Sequence, residues 1–140
     1  MNFASEQEML EFGKKIGREL EPPAVIELIG DVGAGKTTLA RGIAEGLGVA
    51  EPVTSPSFTI VKRYSFLDKN NQERYLAHYD FYRLPDPGIM SEDLSESISD
   101  ENTITLVEWA NTVSDILPSA RTIINITLNE DGSRTVEAKK

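Results

Sequence analysis

Gly30-Asp31-Val32-Gly33-Ala34-Gly35-Lys36-Thr37 fits the pattern G-x-x-x-x-G-K-[ST], a phosphate-cradling loop if a buried strand leads into it and a helix leads out. Both conditions are met. Upstream, Val25, Ile26, Leu28 and Ile29 form a short apolar run broken only by Glu27, as expected of a parallel strand buried on both faces. Downstream, Leu39, Ile43 and Leu47 recur every four residues with Ala40 and Ala44 beside them, and Gly48 follows where a helix C-terminus favours glycine. The stretch reads as strand, loop, helix.

The residue types in the loop dictate its chemistry. A triphosphate needs several backbone N–H groups pointing inward, and small residues such as Gly33, Ala34 and Gly35 let the chain wrap that tightly. The helix N-terminus adds partial positive charge beneath the phosphates. Lys36 is expected to reach the β and γ oxygens, and the Thr37 hydroxyl to be one ligand of a bridging Mg²⁺.

The 140 residues suit one domain, 1–140, with no linker-like stretch and no internal repeat. The N-terminal sequence Met1 to Glu6 carries no basic region ahead of an apolar stretch, and no apolar run approaches the roughly 20 residues of a membrane span. The expected location is therefore the cytoplasm, without a membrane partner. The absence of cysteine excludes disulfides, thiolate metal sites and a cysteine nucleophile. Fourteen basic against twenty-three acidic residues leave a net charge of −9, the wrong sign for strong direct binding of nucleic acid.

Along the chain, Ser5 with Glu8 has the form of a capping box, and Met9, Phe12, Ile16 and Leu20 repeat at helical spacing before Pro22-Pro23 stops the pattern. After Gly48, the hydroxyl-rich segment Glu51 to Ser57 is either a γ-phosphate-sensing loop, through residues such as Thr54, or an ordinary tight turn. Phe58, Ile60, Tyr64 and Phe66 alternate, a polar cluster runs from Asp68 to Gln72, and a second extended run covers Arg74 to Tyr79. That is a β-hairpin, which makes the sheet mixed and leaves Asp80 at a strand end. His78, the chain's one histidine, reads as a packed or hydrogen-bonded residue rather than a proton carrier. A short acidic helix is expected over Ser91 to Ile98, and Thr103 to Val107 forms a strand ending in Glu108. A carboxylate at that edge is where phosphate-loop proteins hold Mg²⁺, so Glu108 belongs with Thr37. Trp109 follows in the loop where ligands approach. Val113, Ile116 and Leu117 suggest a short helix, and Ile123 to Leu128 a strand, joined through Asp131-Gly132 to Arg134 to Ala138.

Four blocks resemble the TsaE (YjeE) family, the small bacterial ATPase of tRNA threonylcarbamoyladenosine biosynthesis. They are Gly30 to Thr38, Val53 to Thr59, His78-Tyr79-Asp80-Phe81-Tyr82-Arg83-Leu84 and Leu106-Val107-Glu108-Trp109-Ala110. The resemblance implies a three-layer α/β phosphate-loop fold with a mixed, mainly parallel sheet and an inserted hairpin. It implies ATP and Mg²⁺ as cofactors, and slow ATP hydrolysis that resets a TsaB–TsaD complex modifying adenosine 37 of tRNAs that read codons beginning with A. Carried over residue by residue, the loop from Gly30 to Thr38 and Thr54 bind nucleotide. Lys36 serves the phosphates, Thr37 and Glu108 hold Mg²⁺, and Asp80 positions water or metal. The chain departs from the family pattern at Val32, Ser57 and Met9, where leucine, threonine and threonine are the expected residues.

Two other functions use the same loop: a small-molecule kinase, which the seven scattered arginines do not favour, and a nucleotide-dependent binding module with little turnover. A GTPase would need an Asn-Lys-x-Asp element, which this chain lacks.

Overall fold

The computed structural model describes residues 1–31, 33–54, 56, 60–82 and 86–139. Its strands are β1 (Asn2–Phe3), β2 (Ala24–Ile29), β3 (Val61–Leu67), β4 (Glu73–Asp80), β5 (Thr103–Glu108), β6 (Thr122–Leu128) and β7 (Arg134–Lys139), and its helices are α1 (Glu6–Glu19), α2 (Lys36–Leu47) and α3 (Met90–Ser99). All seven strands form one sheet in the order β1-β7-β6-β2-β5-β4-β3. The middle four, β6, β2, β5 and β4, are parallel, and β1, β7 and β3 join antiparallel at the edges. The mixed, centrally parallel α/β sheet is the one the sequence predicts.

Successive side chains of a strand point to opposite faces, so β2 feeds two cores. Ile26 and Leu28 join Leu39, Ile43, Leu76, Ile104, Leu106 and Ile124 in the larger core, packed with α1 and α2. Val25 joins Tyr79, Phe81, Leu94, Val107 and Val113 in the smaller one, packed with α3. β5 is buried at every position, the hydroxyl-bearing Thr103 and Thr105 included, and ends in Glu108.

The capping box forms at the start of α1, where Ser5 Oγ accepts from the Glu8 amide at 3.2 Å and Glu8 Oε2 accepts from the Ala4 amide at 3.1 Å. Three details differ from expectation. Ile60 is left-handed, with φ 68°, and stands outside the strand, which begins at Val61. Phe58, also assigned to that run, lies outside the described residues. The short helix after β5 is a 3₁₀ turn over Ala110–Val113, earlier than the apolar spacing suggests, because Trp109 takes up a left-handed conformation and turns the chain at once. A strand missed entirely is β1, two residues long and therefore without a readable period; it pairs with β7. No helix among the described residues is long and apolar enough to cross a membrane.

Two helices, α1 and α2, touch backbone to backbone through Gly13 and Gly17 on one and Gly42 and Gly46 on the other. A methyl group added at Gly17 would lie 2.2 Å from the Ile43 carbonyl oxygen, and one at Gly46 2.2 Å from that of Lys14. Glycine at four-residue spacing on both helices is thus a steric requirement of the close contact. We predict that Gly17→Ala, despite its better helix propensity, destabilises the fold by about 2 kcal/mol or more through forced separation of the helices. Thermal denaturation followed by circular dichroism would register this as a fall of roughly 4–8 °C, and a melting temperature at or above wild type would contradict the packing described.

Candidate functional site

Three chain segments converge at the carboxyl edge of the parallel strands: the loop after β2, the end of β4 and the end of β5. Register fixes the meeting. Asp80 pairs with Glu108, and Glu108 with Leu28, so the two carboxylates stand on adjacent strand ends beside the loop. Ligands of open parallel sheets bind at this edge.

The loop is shaped by its glycines. Gly33 and Gly35 are left-handed, with φ 85° and 110°, and a Cβ on Gly30 would come within 2.8 Å of the Ile126 carbonyl oxygen. Ala34 N–H donates to Asp31 O at 3.0 Å, closing the turn. Lys36 opens α2 and is buried, its ammonium donating to the carbonyl oxygens of Gly30 and, at 2.9 Å, Asp31. The Trp109 ring covers the same ammonium, 4.6 Å from Nζ to the ring centroid, and leans on Tyr82 at 4.7 Å.

A cavity of about 550 Å³ opens here, within the range of small-molecule sites. Its wall includes Gly33, Gly35, Lys36, Thr37, Thr38, Asp80 and Glu108 from the predicted set. Gly30 and Asp31 line instead a smaller cleft of about 180 Å³ on the other side of the loop, next to Trp109. Thr54 is in neither wall, and its hydroxyl accepts from Lys62 Nζ. Val32, Ser55, Ser57 and Arg83 lie outside the described residues.

Charge is concentrated in the wall. Asp80 is 8% exposed, and burial together with the neighbouring Glu108 pushes its carboxyl above the ordinary carboxylate range, against the opposing pull of the Tyr82 amide, which donates to Oδ1 at 2.9 Å. Burial also pulls the Lys36 ammonium below its ordinary value, while Glu108, Asp80 and Asp31 work to keep it charged. Glu108 is 3% exposed, and its Oε2 accepts from His78 Nε2 at 2.6 Å. No cluster of three or more His, Asp or Glu residues among the described ones forms a cage for a metal. Two crowded carboxylates and a hydroxyl beside an anion cradle are nevertheless the hard-oxygen set that suits Mg²⁺, which is normally completed by phosphate and water.

Three wall residues have no site role in the sequence reading, Glu6, Tyr82 and Arg134, and they are joined by Met9, the first-helix position that departs from the family pattern. Glu6 accepts from the Thr38 hydroxyl at 3.0 Å, and Arg134 donates to the carbonyl oxygens of Ala34 and Gly33, each at 3.2 Å. From β7, Arg134 thus ties down two carbonyls of the loop. No local motif announces either contact, since the partners are brought together only by the fold.

The family model described as "Threonylcarbamoyl adenosine biosynthesis protein TsaE" matches residues 3–136. Among similar proteins, the tRNA threonylcarbamoyladenosine biosynthesis protein TsaE of Haemophilus influenzae is 37% identical over 134 residues, covering 92% of this chain and 81% of that protein. Its namesake in Bacillus subtilis is 41% identical over 117 residues, covering 83% and 69%. The crystal structure of Bacillus subtilis YdiB superposes with a TM-score of 0.73 at 32% identity, covering 97% of this chain and 80% of that one.

The crowding of Asp80 has a consequence for stability. Its folded-state pKa is raised, so this group favours folding below the ordinary carboxylate range and that contribution is lost as pH rises through the raised value. We predict that Asp80→Asn, which keeps an acceptor for the Tyr82 amide, raises the melting temperature of the metal-free protein at pH 7. The advantage should vanish near pH 3. Melting curves in chelator at the two pH values check this, and a lower melting temperature at pH 7 would contradict it.

Proposed function

The chain belongs to the TsaE family, and from that premise we propose that it is a single-domain ATPase of tRNA threonylcarbamoyladenosine biosynthesis, acting in the cytoplasm. The observation that carries the ATPase reading is the meeting of Lys36, Thr37, Asp80 and Glu108 around one cavity at the carboxyl edge of the sheet.

In this reading the loop amides and the α2 N-terminus bind the phosphates of ATP, and Lys36 contributes the side-chain cation. Thr37 and Glu108 would hold Mg²⁺, which when bound offsets the charge on the β and γ phosphate oxygens. Asp80 orients water for in-line attack on the γ-phosphorus. The bond to the β–γ bridging oxygen breaks, ADP leaves with that oxygen, and the water proton passes to a carboxylate or phosphate oxygen. A raised Asp80 pKa supports its part, because it makes the ionised carboxylate a stronger base.

The partner is a TsaB–TsaD complex, which this chain resets by hydrolysis between turnovers. A net charge of −9 supports leaving the tRNA to the partner. The kinase alternative has less support. Among the described arginines, Arg134 alone lines the cavity, and it is engaged with the loop and the Gly132 carbonyl.

We predict slow steady-state ATP hydrolysis by the chain alone and a rise of about tenfold or more with purified TsaB–TsaD complex, an effect of the size that completing a phosphoryl-transfer site in trans supports. Lys36→Ala should weaken ATP binding about 10- to 100-fold by calorimetry, since it removes a charge-assisted contact. Wild-type affinity in that variant, or turnover indifferent to the complex, would contradict the proposal.

A further inference from the structure

His78 lies on β4 two residues before Asp80, on the face that also carries Leu76, and is fully buried. Glu108 and Leu106 share the corresponding face of the neighbouring β5, and the ring reaches along the strand direction to bring Nε2 within 2.6 Å of Glu108 Oε2. The other ring nitrogen, Nδ1, is buried with no hydrogen-bonding partner among the described residues. A buried polar atom left unpaired costs stability, and an apolar side chain of similar size would fill this space without that cost. Packing therefore does not account for an imidazole here. Its contact with Glu108 does.

We propose that His78 is a positioning residue for the hydrolytic site. A carboxylate oxygen offers only lone pairs, so the hydrogen is on Nε2 and is donated to Oε2. This single bond fixes the plane of the Glu108 carboxyl at the cavity wall and leaves Oε1 free of any hydrogen-bond donor among the described residues. Donors standing behind a ligating or catalytic carboxylate are worth about 10- to 100-fold in activity or metal affinity. The proposal rests on the reading of Glu108 as a carboxylate that serves ATP hydrolysis; what it adds is the group that aims it.

The test combines single-turnover kinetics with nuclear magnetic resonance. His78→Phe, which removes the donor, should slow single-turnover hydrolysis about 10- to 100-fold while ATP affinity changes by less than about threefold. His78→Gln, which restores an N–H at similar reach, should recover to within about threefold of wild type. Placed in a Glu108→Gln background, His78→Phe should add less than about twofold, since both changes act through one group. Hydrolysis by His78→Phe within twofold of wild type, no recovery by His78→Gln, or full additivity in the double variant would each overturn the proposal. Because the chain has one histidine, its ring ¹⁵N signals in the wild-type protein are unambiguous and require no variant to fold. A hydrogen on Nε2 is expected, and a ring that carries its hydrogen on Nδ1 alone overturns the contact. If Glu108→Gln alone hydrolyses like wild type, the role assigned to Glu108 fails and the proposal with it, while the ¹⁵N pattern still reports on the contact separately.

Discussion

Two carboxylates held side by side on adjacent buried strand ends are the constraint around which this protein is built. Paired register between β4 and β5 sets Asp80 next to Glu108, and burial removes the water that would otherwise separate their charges. Burial is the main reason that Asp80 resists ionisation, and repulsion from Glu108 adds to it. The Tyr82 amide and Lys36 offset part of that cost at Asp80, His78 hydrogen-bonds Glu108, and a cation bridging to phosphate would offset more. The arrangement is thus poorly optimised for stability and well suited to a ligand that brings positive charge, as expected where a site is shaped by its chemistry rather than by its packing.

The surrounding fold supplies the rigidity that such a site requires. Parallel strands buried on both faces place the three converging segments, while the glycine-lined contact of α1 with α2 draws the first helix close enough for Glu6 and Met9 to reach the cavity. The sheet's antiparallel edges contribute too. β7 returns Arg134 to the loop, and the hairpin of β3 and β4 carries Asp80 to the edge. Residues far apart in sequence therefore share one wall because the sheet order interleaves them.

Much of this was legible in the sequence, for reasons that can be stated residue by residue. The loop from Gly30 to Thr37 has fixed spacing because phosphate geometry leaves little latitude, and β5 is marked by Ile104, Leu106 and Val107, with β-branched Thr103 and Thr105, running into a single carboxylate. The hairpin turn at Asp68 to Gln72 and the cap at Ser5 depend on local hydrogen bonds that local sequence encodes. Illegible features were those set by distant partners. Arg134 was one more charge in a terminal strand until the fold brought it 3.2 Å from Ala34 O. His78 looked like a bland strand histidine, and its pairing with Glu108 depends on a strand register that no short-range pattern records. The glycines of α1 and α2 were present at telling intervals, yet only the partner helix explains them. Thr54, for which the sequence leaves nucleotide sensing and an ordinary turn both open, has its hydroxyl accepting from Lys62.

The central claim is that the cavity at the carboxyl edge takes Mg²⁺ and ATP. Trp109, the chain's one tryptophan, covers Lys36 at 4.6 Å, so its emission is a direct reporter of whatever enters beside that ammonium. The most direct measurement is a fluorescence titration of the unmodified protein with a non-hydrolysable ATP analogue, with and without Mg²⁺. A saturable one-to-one change in Trp109 emission, tighter with Mg²⁺ than in chelator, is the predicted result. Unchanged emission up to millimolar nucleotide, or a response indifferent to Mg²⁺, would contradict the account.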